Sequence, residues 1–226
     1  MEKSGVIKFA AGLVLMFAMS LQANSQTQVG LRLGLNGSRV AGSAVREVQK
    51  TGLGYNAGLY AKLNFDGVSI QTELVASGRN YTFTQGYNVG TNNLTAERKI
   101  KATYLDVPLL ITVELTKDIN FLAGPQFSIN VGNDQSTGAD SISTGYNFKW
   151  YEIGLTAGLN YVFNSGIDLT VRGLYGLTPV FTKSNANLAG EEDPNIKNLL
   201  LQFTIGLPIS AANPNEPDRS SYKTIY

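Results

Sequence analysis

Eight charged residues fall where alternation along an extended chain turns their side chains the same way: Arg32, Lys62, Glu73, Asp106, Glu114, Glu152, Asp168 and Arg172. Two kinds of chemistry follow from such a set. Carboxylates placed together support acid–base work or a polar pathway. Carboxylates placed against guanidinium or ammonium groups in a narrow interior form ion pairs, because isolated charge away from water is too costly. The second arrangement, a plug of paired charge, is the expectation here. The sequence has no histidine and no cysteine. That removes the commonest general base, the commonest metal ligand and all thiolate chemistry. The remaining acidic candidates, Asn133-Asp134, Asp140 and Glu191-Glu192-Asp193, are too sparse for an EF-hand-like site and read as solvated charge. There is no P-loop, and the frequent Gly-x-Gly pairs suit close strand packing. The chain therefore reads as non-enzymatic, with no catalytic residue, metal or cofactor.

The elements that must position these charges are strands. Residues 104–131 show this most clearly. Leu105, Val107, Leu109, Ile111, Val113 and Leu115 share one face. Tyr104, Asp106, Pro108, Leu110, Thr112 and Glu114 share the other. After the polar turn Lys117-Asp118-Ile119-Asn120, Phe121, Ala123, Phe127, Ile129 and Val131 oppose Gln126, Ser128 and Asn130. The first run is about a dozen residues long. The usual strand has ~5–6, and ~9–11 cross a bilayer at a tilt.

The same alternation recurs along the chain. It predicts strands over 28–36, 53–65, 68–77, 104–115, 121–131, 148–163, 167–177 and 198–207. Asp66-Gly67 and Asn164-Ser165-Gly166 are tight-turn signals. Long polar connections are expected at 37–52, 78–99, 132–147 and 178–197. The connections thus run long, short, long, short, long, short, long. Outer-membrane barrels sort theirs this way, with short periplasmic turns and longer outside loops. The predicted fold is all-β, an eight-stranded antiparallel up-and-down transmembrane β-barrel over residues 26–209. Apolar faces point to lipid and the eight charges point inward. Phe65, Phe121, Tyr161 and Phe163 lie near the short turns; Tyr81, Phe148, Tyr151 and Tyr175 lie toward the long connections. Together they suggest two interfacial girdles. Pro108 and Pro125 fall inside strands, and a bulge or local break is expected near each.

Residues 1–25 read as a signal peptide. Lys3 and Lys8 open it, an apolar run spans 9–21, and Ala23-Asn24-Ser25 is a small-x-small cleavage site. The localisation implied is the cell outer membrane. Residues 210–226 read as a disordered periplasmic tail. Of 18 basic and 17 acidic residues, Lys3, Lys8 and Glu2 belong to the leader, so the mature chain carries equal numbers of each. Such a balance does not suit nucleic acid.

Tyr104-Leu105-Asp106-Val107-Pro108-Leu109-Leu110, with Gly124-Pro125 after the turn, resembles the YLEIPLL…GP pattern of PorT-like outer-membrane β-barrel proteins of Bacteroidota. Gly30-Leu31-Arg32-Leu33-Gly34-Leu35-Asn36 is similar to that family's first strand. Gln71-Thr72-Glu73-Leu74 with Ser77-Gly78 is similar to its QxELxYSxxG stretch, departing at Ala76 and Arg79-Asn80. The resemblance covers residues 26–209. It implies an eight-stranded outer-membrane barrel, and for the namesake a link to secretion and gliding machinery.

Deacylase-like and omptin-like barrel hydrolases need a histidine and are excluded. Eight strands enclose a lumen that side chains just fill, so an open pore is not expected. Tyr81, Phe83, Tyr87 and Tyr146 place aromatics among polar loop residues, a surface suited to a protein or glycan partner, with loops folding on themselves as the other outcome. The leading expectation is a non-enzymatic outer-membrane barrel with a structural or interaction role and a plugged lumen, in contact with outer-membrane lipid. The alternatives are an accessory of a secretion machine and a soluble periplasmic lipocalin-like barrel, in which the faces would be inverted.

Overall fold

The computed structural model describes residues 27–41, 48–65, 67–89, 92–137, 147–182 and 196–209. The leader over 1–25 and the tail over 210–226 lie outside them. The strands are β1 (Thr27–Ala41), β2 (Val48–Asn64), β3 (Val68–Val89), β4 (Asn92–Glu114), β5 (Ile119–Thr137), β6 (Asn147–Phe148), β7 (Tyr151–Val162), β8 (Asp168–Gly176), β9 (Phe181–Thr182) and β10 (Lys197–Pro208). Eight of them close an antiparallel barrel in the order β1-β10-β8-β7-β5-β4-β3-β2, while β6 and β9 pair separately. Closure joins β1 to β10 without interruption from Gly30↔Pro208 to Ala41↔Lys197.

Alternation decides the faces. Along β8 every second residue is buried, and Asp168, Thr170, Arg172 and Leu174 point inward. Leu169, Val171 and Tyr175 lie outside with Leu33, Leu35, Leu109, Ile111, Leu201 and Phe203. The interior is charged and the exterior apolar, so the inverted, lipocalin-like arrangement does not hold. A closed barrel satisfies its backbone groups across strands, which is what spanning lipid requires.

The short connections are tight. Gly67 and Gly166 adopt φ values of +71° and +80°, a region that glycine enters without steric cost. The Phe163 N–H donates to the Ile167 carbonyl at 2.9 Å, and the Leu115 N–H donates to the Ile119 carbonyl at 2.9 Å.

The far end differs from expectation. Much of the connection predicted over 78–99 is paired strand: β3 and β4 stay in register from Gly78↔Thr103 to Val89↔Asn92. β2 adds Val48–Thr51 against β3, and β5 adds Gly132–Thr137 against β4. A four-stranded sheet therefore continues beyond the barrel wall. Its register slips by one at Thr103/Tyr104, which leaves Val131 as an extra residue in β5. The strand predicted over 148–163 is also divided. Asn147–Phe148 belongs to the separate β6–β9 pair, and the barrel strand begins at Tyr151.

The prolines are accommodated by breaks rather than bulges. β4 pairs with β5 at Pro108↔Gln126 and again at Ile111↔Ala123, with no register change between. On its other side β4 pairs with β3 at Thr72↔Leu109 and Val75↔Asp106, again in one register. Two rungs are missing on each side. Gly124 takes part: a Cβ there would collide with the Leu109 carbonyl.

Candidate functional site: the lumen

The lumen holds two charge clusters. In the first, β1 supplies Arg32, β3 supplies Glu73, and β8 supplies Asp168 and Arg172. Arg32 Nη1 donates to Glu73 Oε1 at 2.8 Å, and Nη2 to Asp168 Oδ1 at 3.0 Å. Arg172 Nη2 lies 2.7 Å from Glu73 Oε2 as an ion pair, off good hydrogen-bond alignment. Its Nε donates to Gln202 Oε1 at 2.7 Å. Gln71 and Asn160 donate their amides to Glu73 and Asp168 at 2.6 and 2.7 Å. The Arg32 guanidinium also lies 5.0 Å from the Tyr60 ring centroid.

Room for these side chains comes from glycine across the ladder. Arg32 is flanked by Gly58 and Gly206, and Arg172 has Gly158 on one side. A Cβ at Gly206 would collide with the Asp168 carboxylate, and one at Gly158 would strike Arg172.

Above this cluster is a layer of amides. Asn56 Nδ2 donates to Asn36 Oδ1 at 2.7 Å, Gln202 Nε2 to the same oxygen at 3.1 Å, and Asn36 Nδ2 to Ser77 Oγ at 2.9 Å.

The second cluster is built on Arg79. Its Nη2 donates to Asp106 Oδ1 at 2.6 Å and to Ser128 Oγ at 3.1 Å; its Nη1 donates to Glu152 Oε2 at 2.9 Å. The guanidinium lies 4.1 Å from the Tyr104 ring centroid. Asn198 donates to Glu152, and the Tyr81 hydroxyl donates to Asn198. Asp106, Ser128 and Glu152 form one row across β4, β5 and β7.

An apolar cap closes the long-loop end. Val40, Tyr81, Ile100, Ala102, Tyr104, Val180, Phe181 and Ile196 are buried together, with Phe148 packed against them. The Phe148 and Phe181 rings meet edge to face at 4.8 Å across the β6–β9 pair.

Arg32, Glu73, Asp106, Glu152, Asp168 and Arg172 thus occupy the interior as the alternation predicts. Lys62 is half-buried on the same face, opposite Gln71. Glu114 is a correction. It has inward parity, but it closes β4 beside the turn opposite Asn120 and is exposed. It is no part of the network, because the wall ends before its side chain is covered. Tyr81 is a second correction. It is buried in the cap rather than displayed to a partner, and Phe148 packs there too instead of joining an outer girdle. Phe83 and Tyr87 lie on the extended β3, with their side chains outside the described residues, as is the whole of Tyr146. Arg79 was missed, although Gln71, Glu73, Val75, Ser77, Arg79 and Tyr81 share one parity. Its place at the start of the polar connection expected over 78–99 hid the signal.

Chemically, each of the four buried carboxylates in these clusters is bound to arginine. Among the described residues no three histidine, cysteine or acidic residues gather as a metal site. Residues 21–182 match the family described as "Outer membrane protein beta-barrel domain". The chain belongs to that family. Solved structures similar to this outer-membrane barrel include Neisserial surface protein A. It is 11% identical, with a TM-score of 0.45, and the match covers 79% of this chain and 96% of that one. The attachment invasion locus protein Ail of Yersinia pestis is also 11% identical, with a TM-score of 0.41 and coverage of 80% and 97%. OprG from Pseudomonas aeruginosa is 14% identical, with a TM-score of 0.40 and coverage of 80% and 91%. No curated protein matches the chain.

Proposed function

We propose that this chain is a sealed, non-enzymatic outer-membrane barrel that acts through the sheet it raises above the membrane. The observation that carries this reading is the filled lumen: two charge clusters with an amide layer between them, under an apolar cap. Charges already paired and desolvated leave a passing ion no unpaired carboxylate or guanidinium to exchange with. Reconstituted into planar bilayers, the full chain is expected to pass no sustained current in potassium chloride. Stable current steps of uniform size would overturn the seal.

The extended β3–β4 hairpin is the part a protein or glycan partner would meet, since it stands on the long-connection side. Thr82 and Lys99 are paired, so residues 83–98 can be replaced by an Asn-Gly turn. The trimmed chain is expected to insert normally and to lose surface binding of its partner; binding that survives trimming removes the role from the hairpin. Export through a leader over 1–25 predicts a mature protein that begins at Gln26, read by mass spectrometry of the intact chain.

The motif residues behind the PorT-like resemblance serve the barrel here. Tyr104 lies under Arg79, Asp106 pairs with it, and Pro108 sits at the ladder break. An accessory role in secretion therefore rests on the resemblance alone, and unchanged secretion after gene deletion removes it.

A further inference from the structure

We propose that the outer wall carries a binding site for a phosphate-bearing lipid of the outer leaflet, with its acyl chain in a groove across β5, β7, β8 and β10. The groove has a volume of about 480 Å³ and is lined by Ala123, Ala157, Gly173, Leu155, Tyr175 and Leu199 among others. Its floor is a register row: Ala123 faces Ala157, and Ala157 faces Gly173. Ile111 and Leu201 bound the row at its two ends. These small side chains, flanked on the same outer face by Ile111, Leu155, Leu159 and Leu201, leave a depression on the lipid-facing side.

The head of the groove identifies the occupant. Tyr175 and Leu199 are paired one step above the floor. Lys197 lies two residues further along the same face of β10, with its Nζ 5.5 Å from the Tyr175 ring centroid. Arg39, exposed on β1, pairs with Leu199 and is diagonal to Lys197; diagonal neighbours stand roughly 7–8 Å apart. Two cations therefore crown an apolar groove. From Gly173 to the level of Lys197 is four residues, or roughly 13 Å of strand. Phosphate above and hydrocarbon below is the chemistry of an anionic lipid. A second copy packed on the same face would set its own Arg39 and Lys197 against these two cations. The site is separate from the proposed action of the β3–β4 sheet and survives or fails independently of it.

The test is native mass spectrometry of the full chain, released from nanodiscs of equal phosphatidylglycerol and phosphatidylcholine. One phosphatidylglycerol is expected to remain bound in preference to phosphatidylcholine. Arg39→Gln and Lys197→Gln should each reduce that preference about fivefold. Gly173→Leu should reduce retention of both lipids. Its Cβ would meet nothing closer than the Leu200 carbonyl at 4.0 Å, so the new side chain starts in open space without striking the wall. Equal retention of the two lipids overturns the proposal, as does a preference untouched by the double charge variant. A dimer without lipid that Gly173→Leu disperses also overturns it, in favour of a second copy.

Discussion

Arg79 holds two carboxylates with one guanidinium, and all three side chains are at most 2% exposed. Arg79→Ala would leave Asp106 and Glu152 facing each other without their cation. The expected loss is about 3–5 kcal/mol, measured by urea unfolding in lipid vesicles. Replacing Arg79, Asp106 and Glu152 together by Met, Leu and Leu should recover part of it, because no desolvated charge remains, while Ser128 and Asn198 lose their hydrogen bonds to Arg79 and Glu152. Glu114→Gln should shift stability by less than about 0.5 kcal/mol, since that carboxylate is exposed. These residues also mark how far side-chain parity can be read from sequence. Parity gave the direction of Glu114 correctly. It could not tell that the wall stops there, because burial depends on how far neighbouring strands extend. Arg79 was legible only to a reading that carried the alternation through Gly78.

At the scale of the element, alternation revealed each barrel strand and the face it turns to lipid. Ile111 is 57% exposed on the outer face, while Thr112 beside it is 2% exposed. Ile111→Arg should oppose insertion by about 2–4 kcal/mol if the position lies near the bilayer midplane, scored by folding yield in vesicles of graded urea content. No loss relative to an exposed control such as Glu114→Arg would contradict the assigned face. Strand ends were far less legible. β3 and β4 run on well past the predicted ends; their outer halves mix polar residues with Tyr81, Phe83, Leu94 and Ile100, so the apolar-against-polar contrast that marks a lipid-facing strand fades there. The breaks at Pro108 and Pro125 were foreseeable from the missing N–H groups. That the register would hold across them was not, since register belongs to three strands together.

At the scale of the whole molecule, the sorting of long and short connections was enough to read the closed barrel. The cap was not readable. Its members come from β1, β3, β4, the β9 region and the approach to β10, and no local pattern links them. Under the proposed seal, cap and charge clusters act as two separate barriers in series. Phe181→Ala is therefore expected to stay silent in planar bilayers, since the Arg79 and Arg32 clusters remain closed beneath it. Current from that variant alone would show that the cap is the sole barrier.

The seam between β1 and β10 has a consequence for assembly. Lipid accepts an apolar strand face as soon as it arrives, but the inner faces have no such refuge. Arg32 must wait for Asp168, 136 residues later in the chain, and Asn36 for Gln202, 166 residues later. Such distant partnerships form late, after the loops between them have closed. The interior can lose its water only when the last hairpin docks. Sealing the wall and completing the Arg32 cluster are then a single event, and an arrested barrel that lacks β10 would hold a wet, charged cleft open against the membrane.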